Sequence, residues 1–185
     1  MKTLNLYPVS TIDTITQPET SIDLNLHTRA TKFFTDFSCV TPLAIESTLS
    51  ALDIQKIMQK EHVRLKFVID KAGHFLGVVR SEDVTDRKIM QKTNNGDKRE
   101  DITLADVMIP KHRLNALDYH EVAGSSIGQV VRVLKDTGDQ HALVIDRDRN
   151  EIRGIFSASD ISRKLHLAID IQNKPSFSKV FEMTD

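Results

Sequence analysis

Residues 65–83 read LKFVIDKAGHFLGVVRSED, and residues 141–160 read HALVIDRDRNEIRGIFSASD. Each stretch opens with an apolar run that closes on an aspartate, Asp70 or Asp146. Each then passes a short polar turn, KAGH or RDRNE, and enters a second apolar run containing Gly77-Val78-Val79 or Gly154-Ile155-Phe156. Asp83 and Asp160 end the two stretches. The Asp-to-Gly distance is 7 in the first and 8 in the second. Two apolar runs around a short polar turn read as a β-hairpin. The chain therefore carries one hairpin twice.

The likeness extends on both sides. A helix is expected after each hairpin, over about 81–92 and about 158–167. A helix also precedes each one. Ile127, Val130, Val131 and Leu134 fall at i, i+3, i+4, i+7 and form one apolar face. Ser126 with Gln129 makes a capping box, and Gly138 supplies a stop. In the first copy Leu49, Leu52, Ile54, Ile57 and Met58 are less regular but also helical. Short strands are expected at Val40–Ile45 and Leu114–Leu117. Further back, Thr28–Phe33 aligns with Thr103–Met108. The spacing thus predicts an α/β fold of two repeats, each with a small mixed sheet and two helices. The divisions are 1–27 as an N-terminal extension, 28–92, a polar connector at 93–102, 103–168, and a tail at 169–185. Ile22, Leu24 and Leu26 alternate, which predicts an added edge strand.

Composition narrows the function. The chain has 185 residues, 39% hydrophobic and 28% charged, an ordinary globular balance. Its net charge of −1 provides no global field for nucleic acid or an anionic membrane. The single cysteine, Cys39, excludes internal disulfides and Cys-x-x-Cys zinc pairs. The N-terminal residues lack the apolar run of a secretory leader, and no stretch approaches a membrane span, so a cytoplasmic protein is expected.

Two copies of apolar-Asp, then Gly-h-h-x-x-x-Asp (h, apolar), resemble the cystathionine β-synthase (CBS) domain. The tandem is similar to a CBS pair, or Bateman module, of the stand-alone bacterial type. Ala105-Asp106-Val107-Met108-Ile109-Pro110 is similar to the short helix that opens such domains. The resemblance covers about residues 28–168 and implies pseudo-two-fold packing of the repeats, with clefts between them for adenosine-containing ligands. It implies a regulatory module, not an enzyme. No cofactor is required, the regulatory ligand is AMP, ADP or ATP, and two chains join as a homodimer that signals to a protein partner. Leu49, Ile127 and Val131 are candidates for its apolar interface.

The same resemblance assigns the site. The Ser157 hydroxyl and the Asp160 carboxylate would hold the ribose hydroxyls, and charged acceptors make the stronger hydrogen bonds. Ser157-x-x-Asp160 is also a capping box, and the two roles are compatible. Val63 and Leu65 would sandwich an adenine in that cleft. Lys66 would reach a phosphate, favouring AMP, ADP or ATP over S-adenosylmethionine, or would be a solvated edge lysine. In the first copy Arg80 stands where the family has Ser or Thr, and Asp83 is kept. Arg80 would pair with Asp83 and block this second cleft, grip a phosphate, or lie on the surface. Arg113, Arg153, Arg163, Lys164 and His166 are the basic residues expected nearby. Asp146–Asn150 looks like the start of an EF-hand loop, but Glu151 replaces the required glycine, so it reads as a turn. The histidines lack zinc-like spacing, no metal site is expected, and no phosphate-binding P-loop occurs.

Overall fold

The computed structural model describes residues 24–93, 98–135 and 137–165. The first repeat contributes β2 (Ala44–Glu46), α1 (Ala51–Lys60), β3 (Leu65–Ile69), β4 (Phe75–Arg80) and α2 (Asp86–Lys92). The second contributes β6 (Ala116–Asp118), α4 (Tyr119–Gly124), α5 (Ile127–Lys135), β7 (His141–Asp146), β8 (Glu151–Ser157) and α6 (Ala158–Lys164). Two lead-ins complete them: β1 (Thr35–Asp36) before the first, and α3 (Leu104–Val107) with β5 (Ile109–Pro110) before the second.

Both expected hairpins are present. Asp70 Oδ1 accepts hydrogen bonds from the amides of Ala72 and His74, and Asp146 Oδ1 from those of Asp148 and Arg149. Each aspartate thus ties down its own turn. The turns use left-handed residues, Gly73 at φ +87° and Asn150 at φ +54°. β2 runs parallel to β3, and β6 to β7, so each pair needs a helical crossover. The register shifts at equivalent points, Val68/Ile69 and Val144/Ile145. The Ser126–Gln129 capping box forms, with the Ser126 amide donating to Gln129 Oε1 at 2.9 Å.

The sheets are ordered β2-β3-β4-β5 and β1-β8-β7-β6. The lead-ins are therefore exchanged: β1 of the first copy pairs with β8, and β5 of the second pairs with β4. The motif glycines make this possible. A Cβ on Gly77 would run into the Ile109 carbonyl, and one on Gly154 into the Thr35 carbonyl. Packing follows the exchange. Ala30, Phe33 and Phe34 enter the core of Val122, Ile127, Val130, Val131, Val144 and Phe156. Ile102 and Leu104 enter the core of Ala51, Ile54, Met58, Val68 and Val79. Arg153 grips Asp36 with two hydrogen bonds, at 2.9 and 3.0 Å, and lies over the Tyr119 ring. Asp36 is held down to about 2 by these hydrogen bonds. A third cluster, Phe67, Val78, Leu143 and Ile155, joins the two sheets face to face.

Four expectations change. Residues 24–27 form no strand; Leu24 and Leu26 instead pack on the second core, and Gly128 donates to the Leu26 carbonyl. Ile22, His166 and the tail lie outside the described residues. The helix expected from 81 begins at Asp86, because Ser81–Thr85 turn back under an Arg80–Asp83 contact. Ile127 and Val131 are fully buried by the exchanged lead-in, so they are not interface candidates, whereas Leu49 is exposed. α4 was not expected at all; its start is fixed by Asp118, whose side chain accepts from the His120 amide at 2.8 Å.

Candidate functional site

The two motifs occupy equivalent places, because Arg80 pairs with Leu65 across one hairpin and Ser157 with His141 across the other. Their chemistry differs. Asp83 is 4% exposed and its carboxylate receives four donors. Oδ2 accepts from the Arg80 amide and from Arg80 Nε, each at 3.0 Å. Oδ1 accepts from Lys88 Nζ at 2.7 Å and from Arg80 Nη2 at 3.4 Å. Burial pushes this carboxyl up, but the hydrogen bonds from Arg80 and Lys88 outweigh it and hold it below the ordinary range. The expected Arg80–Asp83 pair has formed. Arg80 Nη1 also meets Glu82 at 3.0 Å and, across the repeat boundary, Asp139 at 3.4 Å.

Pairing does not fill this cleft. A cavity of about 450 Å³ remains beside Arg80, walled by Leu65, Val78, Ile109, Leu117 and Leu143. Besides Arg80, its polar members are Arg113, Asn115, Thr137, Asp139, Gln140 and His141. Its size falls within the range of small-molecule sites.

Ser157 and Asp160 begin α6. Ser157 is the N-cap, its Oγ accepting from the Asp160 amide at 3.4 Å. The Asp160 side chain is 35% exposed and meets only Arg163, at 3.1 Å, among the described ion pairs. Its carboxylate is thus far less committed than that of Asp83. Leu65 lines the Arg80 cleft, and Val63 is half-buried with its amide donating to the Met58 carbonyl. Lys66 is 5% exposed and its ammonium sits 2.8 Å from Glu61, so it is not a solvated edge lysine. Strand alternation puts it on the helix-facing side with Val68. Of the other basic residues, Arg113 lines the Arg80 cleft, Arg153 serves the lead-in, and Lys164 donates to the Lys32 carbonyl.

The CBS domain model matches residues 36–89 and 122–167, more than half of the chain. The chain belongs to the CBS domain family. No curated protein matches it. Among solved structures, an uncharacterized conserved protein from Pyrococcus horikoshii superposes with a TM-score of 0.56 at 18% identity, over 80% of this chain and 98% of that one. CBSX2, an Arabidopsis thaliana protein solved in complex with AMP, gives 0.53 at 20% identity, over 74% and 94%. A CBS domain pair bound to 5′-methylthioadenosine and S-adenosyl-L-methionine gives 0.51 at 19% identity, over 74% and 94%. These likenesses establish a shared fold.

Two features of this CBS pair escaped the sequence. His141 lies between the two motifs, and burial, then the Arg64 charge, pull it down to about 4. It is neutral at neutral pH. Only its place opposite Ser157 hinted at this. The other is a cluster of His120, Asp146 and Asp148, whose ligand atoms lie within 4.8 Å of one another. Its members come from α4, the end of β7 and the β7–β8 turn, so no local spacing signals it. His120 Nε2 contacts Asp148 Oδ2 at 2.9 Å, which accounts for the pair without an ion.

Proposed function

We propose that this CBS pair is a ligand-sensing regulatory module, not an enzyme. It binds an adenine nucleotide or related adenosyl ligand between its repeats. The observation that carries this reading is the joint presence of the Ser157 hydroxyl and the accessible Asp160 carboxylate at the start of α6. A vicinal diol needs such acceptors. Family members solved with AMP, 5′-methylthioadenosine and S-adenosyl-L-methionine support the ligand class. Val63 and Leu65 would flank the base. Lys66, paired with Glu61 on the helix-facing side of β3, would reach a phosphate only after leaving that pair, so the choice among adenosyl ligands rests on other groups. Binding shifts the relative arrangement of the repeats, and a protein partner reads the shift.

We take the repeat units as 28–92 and 103–168, joined by 93–102. The module is a cytoplasmic homodimer in this reading, supported by exposed Leu49, Ile57 and Met90 on the first repeat. Among the described residues no helix is long and apolar enough to cross a membrane.

Calorimetry on Asp160→Ala tests the site. Affinity for AMP should fall by roughly 10- to 150-fold, the equivalent of about 1.5–3 kcal/mol for hydrogen bonds to a charged group. Unchanged affinity would remove Asp160 from the site. A second reading, an interaction module with closed clefts, rests on the Arg80–Asp83 pair, although that pair leaves a cavity of about 450 Å³ open beside it. Thermal melting with a nucleotide panel separates the two: a ligand at 100 times its Kd adds about 2.7 kcal/mol, and a closed module gains nothing.

A further inference from the structure

Away from the clefts, the β7–β8 turn meets the start of α4 through His120, Asp146 and Asp148. One donor atom from each lies within 4.8 Å of the other two. The main chain holds all three in place. The His120 amide donates to Asp118 Oδ1 at 2.8 Å, and the Asp148 and Arg149 amides donate to Asp146 Oδ1 at 3.1 and 3.2 Å. Those two amides occupy one oxygen of Asp146. Oδ2 has no hydrogen bond among the described residues, and its nearest cation, Arg149 Nε, stands 3.9 Å away on a side chain 67% exposed. Arg153, the other positive charge felt here, is committed to Asp36. Yet the Asp146 side chain is only 8% exposed. A carboxylate that deep is ordinarily paired or bound to metal. The His120–Asp148 contact satisfies those two groups with each other and does nothing for Asp146. The first repeat shows what the plain turn needs. Asp70 and His74 pair within it, and Thr48 and Ala72 stand where the second repeat has His120 and Asp148.

We propose that His120, Asp146 and Asp148 form a binding site for one divalent transition-metal ion of the zinc class, carried by the second repeat alone. An imidazole nitrogen with two carboxylate oxygens suits zinc, whereas calcium and magnesium take all-oxygen sets. Zinc bonds such donors at about 2.0–2.2 Å, which sets them about 3.3–3.6 Å apart in a tetrahedron. The 2.9 Å contact of His120 with Asp148 would open slightly, and the wider approaches would close. The His120 and Asp148 side chains are 65% and 80% exposed, so both can make that adjustment and an ion can reach them. Water takes the fourth position. Arg149 can turn from Asp146 to Glu151, already 3.9 Å from its Nη1. The bound ion ties the start of α4 to the hairpin turn. This site stands apart from the nucleotide reading, and neither depends on the other.

Calorimetry of the full chain with zinc chloride is the test. One zinc ion per chain should bind. Outer partners of metal ligands are alone worth about 10–100-fold in affinity, so losing a ligand should weaken binding tenfold or more. That loss is expected for His120→Ala, for Asp148→Ala and for Asp146→Asn, which keeps an acceptor for the turn amides. His74→Ala and Cys39→Ser alter the other His–Asp turn and the exposed thiol, and should leave affinity within about twofold of the unmodified protein. Calcium and magnesium chloride should not compete. In ¹H–¹⁵N spectra of the imidazoles, zinc should move one histidine, and that signal should be missing from His120→Ala. Circular dichroism checks the fold of each variant. Asp148→Ala, an exposed turn residue, keeps the test decisive if Asp146→Asn does not fold. Zinc uptake equal in His120→Ala and the unmodified protein would overturn the proposal. So would uptake lost with Cys39→Ser or His74→Ala, no uptake at all, or calcium bound as tightly as zinc.

Discussion

The two repeats share a backbone and divide their chemistry. Both have a parallel strand pair, a hairpin with a register shift near its end, and a glycine where the other repeat's lead-in crosses. At matched positions the first repeat carries Leu65, Lys66 and Arg80, and the second His141, Ala142 and Ser157. The first motif is a closed charge network. The second keeps a hydroxyl and a half-open carboxylate. A symmetric scaffold thus tolerates asymmetric side-chain chemistry, because the fold is fixed by the apolar alternation and the glycines. The residues that face the clefts are free to diverge.

The strongest way to break this comparison is to attack the exchanged cores. Phe33→Ala removes a fully buried ring supplied by the first lead-in to the second core. It should cost about 3–5 kcal/mol in urea denaturation. Hydrogen exchange should rise in β7 and β8 first. If β3 and β4 loosen first instead, the exchange of cores is wrong.

The next test sharpens the difference between Leu65 and His141. His141 has an ordinary value of 6.5 and is pulled to about 4 in the fold. As pH falls below 6.5 the unfolded chain takes up a proton that the folded chain does not. Stability is therefore full above 6.5 and declines until about pH 4. The loss from this group is about 3 kcal/mol at most. Arg64 and Arg80 reinforce the shift, and Asp160 and Glu82 oppose it. His141→Leu, which copies the first repeat, should flatten the stability profile between pH 7 and 5. A profile equally steep in the variant would assign the effect elsewhere.

Smaller effects should separate the two aspartates. Asp83→Asn leaves Arg80 and Lys88 facing a weaker acceptor in a buried place, and should cost about 2 kcal/mol in denaturant melts. Asp160→Asn alters an accessible first-turn residue and should cost under about 1 kcal/mol. Equal losses would mean that the two motifs play the same structural part.

Much of the fold was legible because its signals are local. Alternating apolar runs, the two turn aspartates and the Ser126–Gln129 box each act within a few residues. The Arg80–Asp83 pair was legible for the same reason, at a separation of three. What the sequence hid is non-local. Periodicity marks Ile127 and Val131 as apolar but cannot say that Phe33, far upstream, covers them. Alternation shows that Lys66 departs from pattern but not that Glu61 receives it in a buried place. The late start of α2 reflects a side chain, Asp83, bonding its own turn, which competes with helix in a way propensity does not register. The 450 Å³ cleft depends on how far apart two packed sheets stand, and no residue spacing encodes that.

The crossed arms also have a mechanical meaning. Thr35 and Asp36 are stitched to Ile155 and Gly154, while Ile109 and Pro110 are stitched to Val78 and Gly77. A load drawing the two halves apart would pull on both short ladders at once, and on Phe33 and Leu104 seated behind them. Separation is therefore a stiff coordinate. Turning one half against the other about the line joining the two crossings leaves both ladders intact and is the soft one.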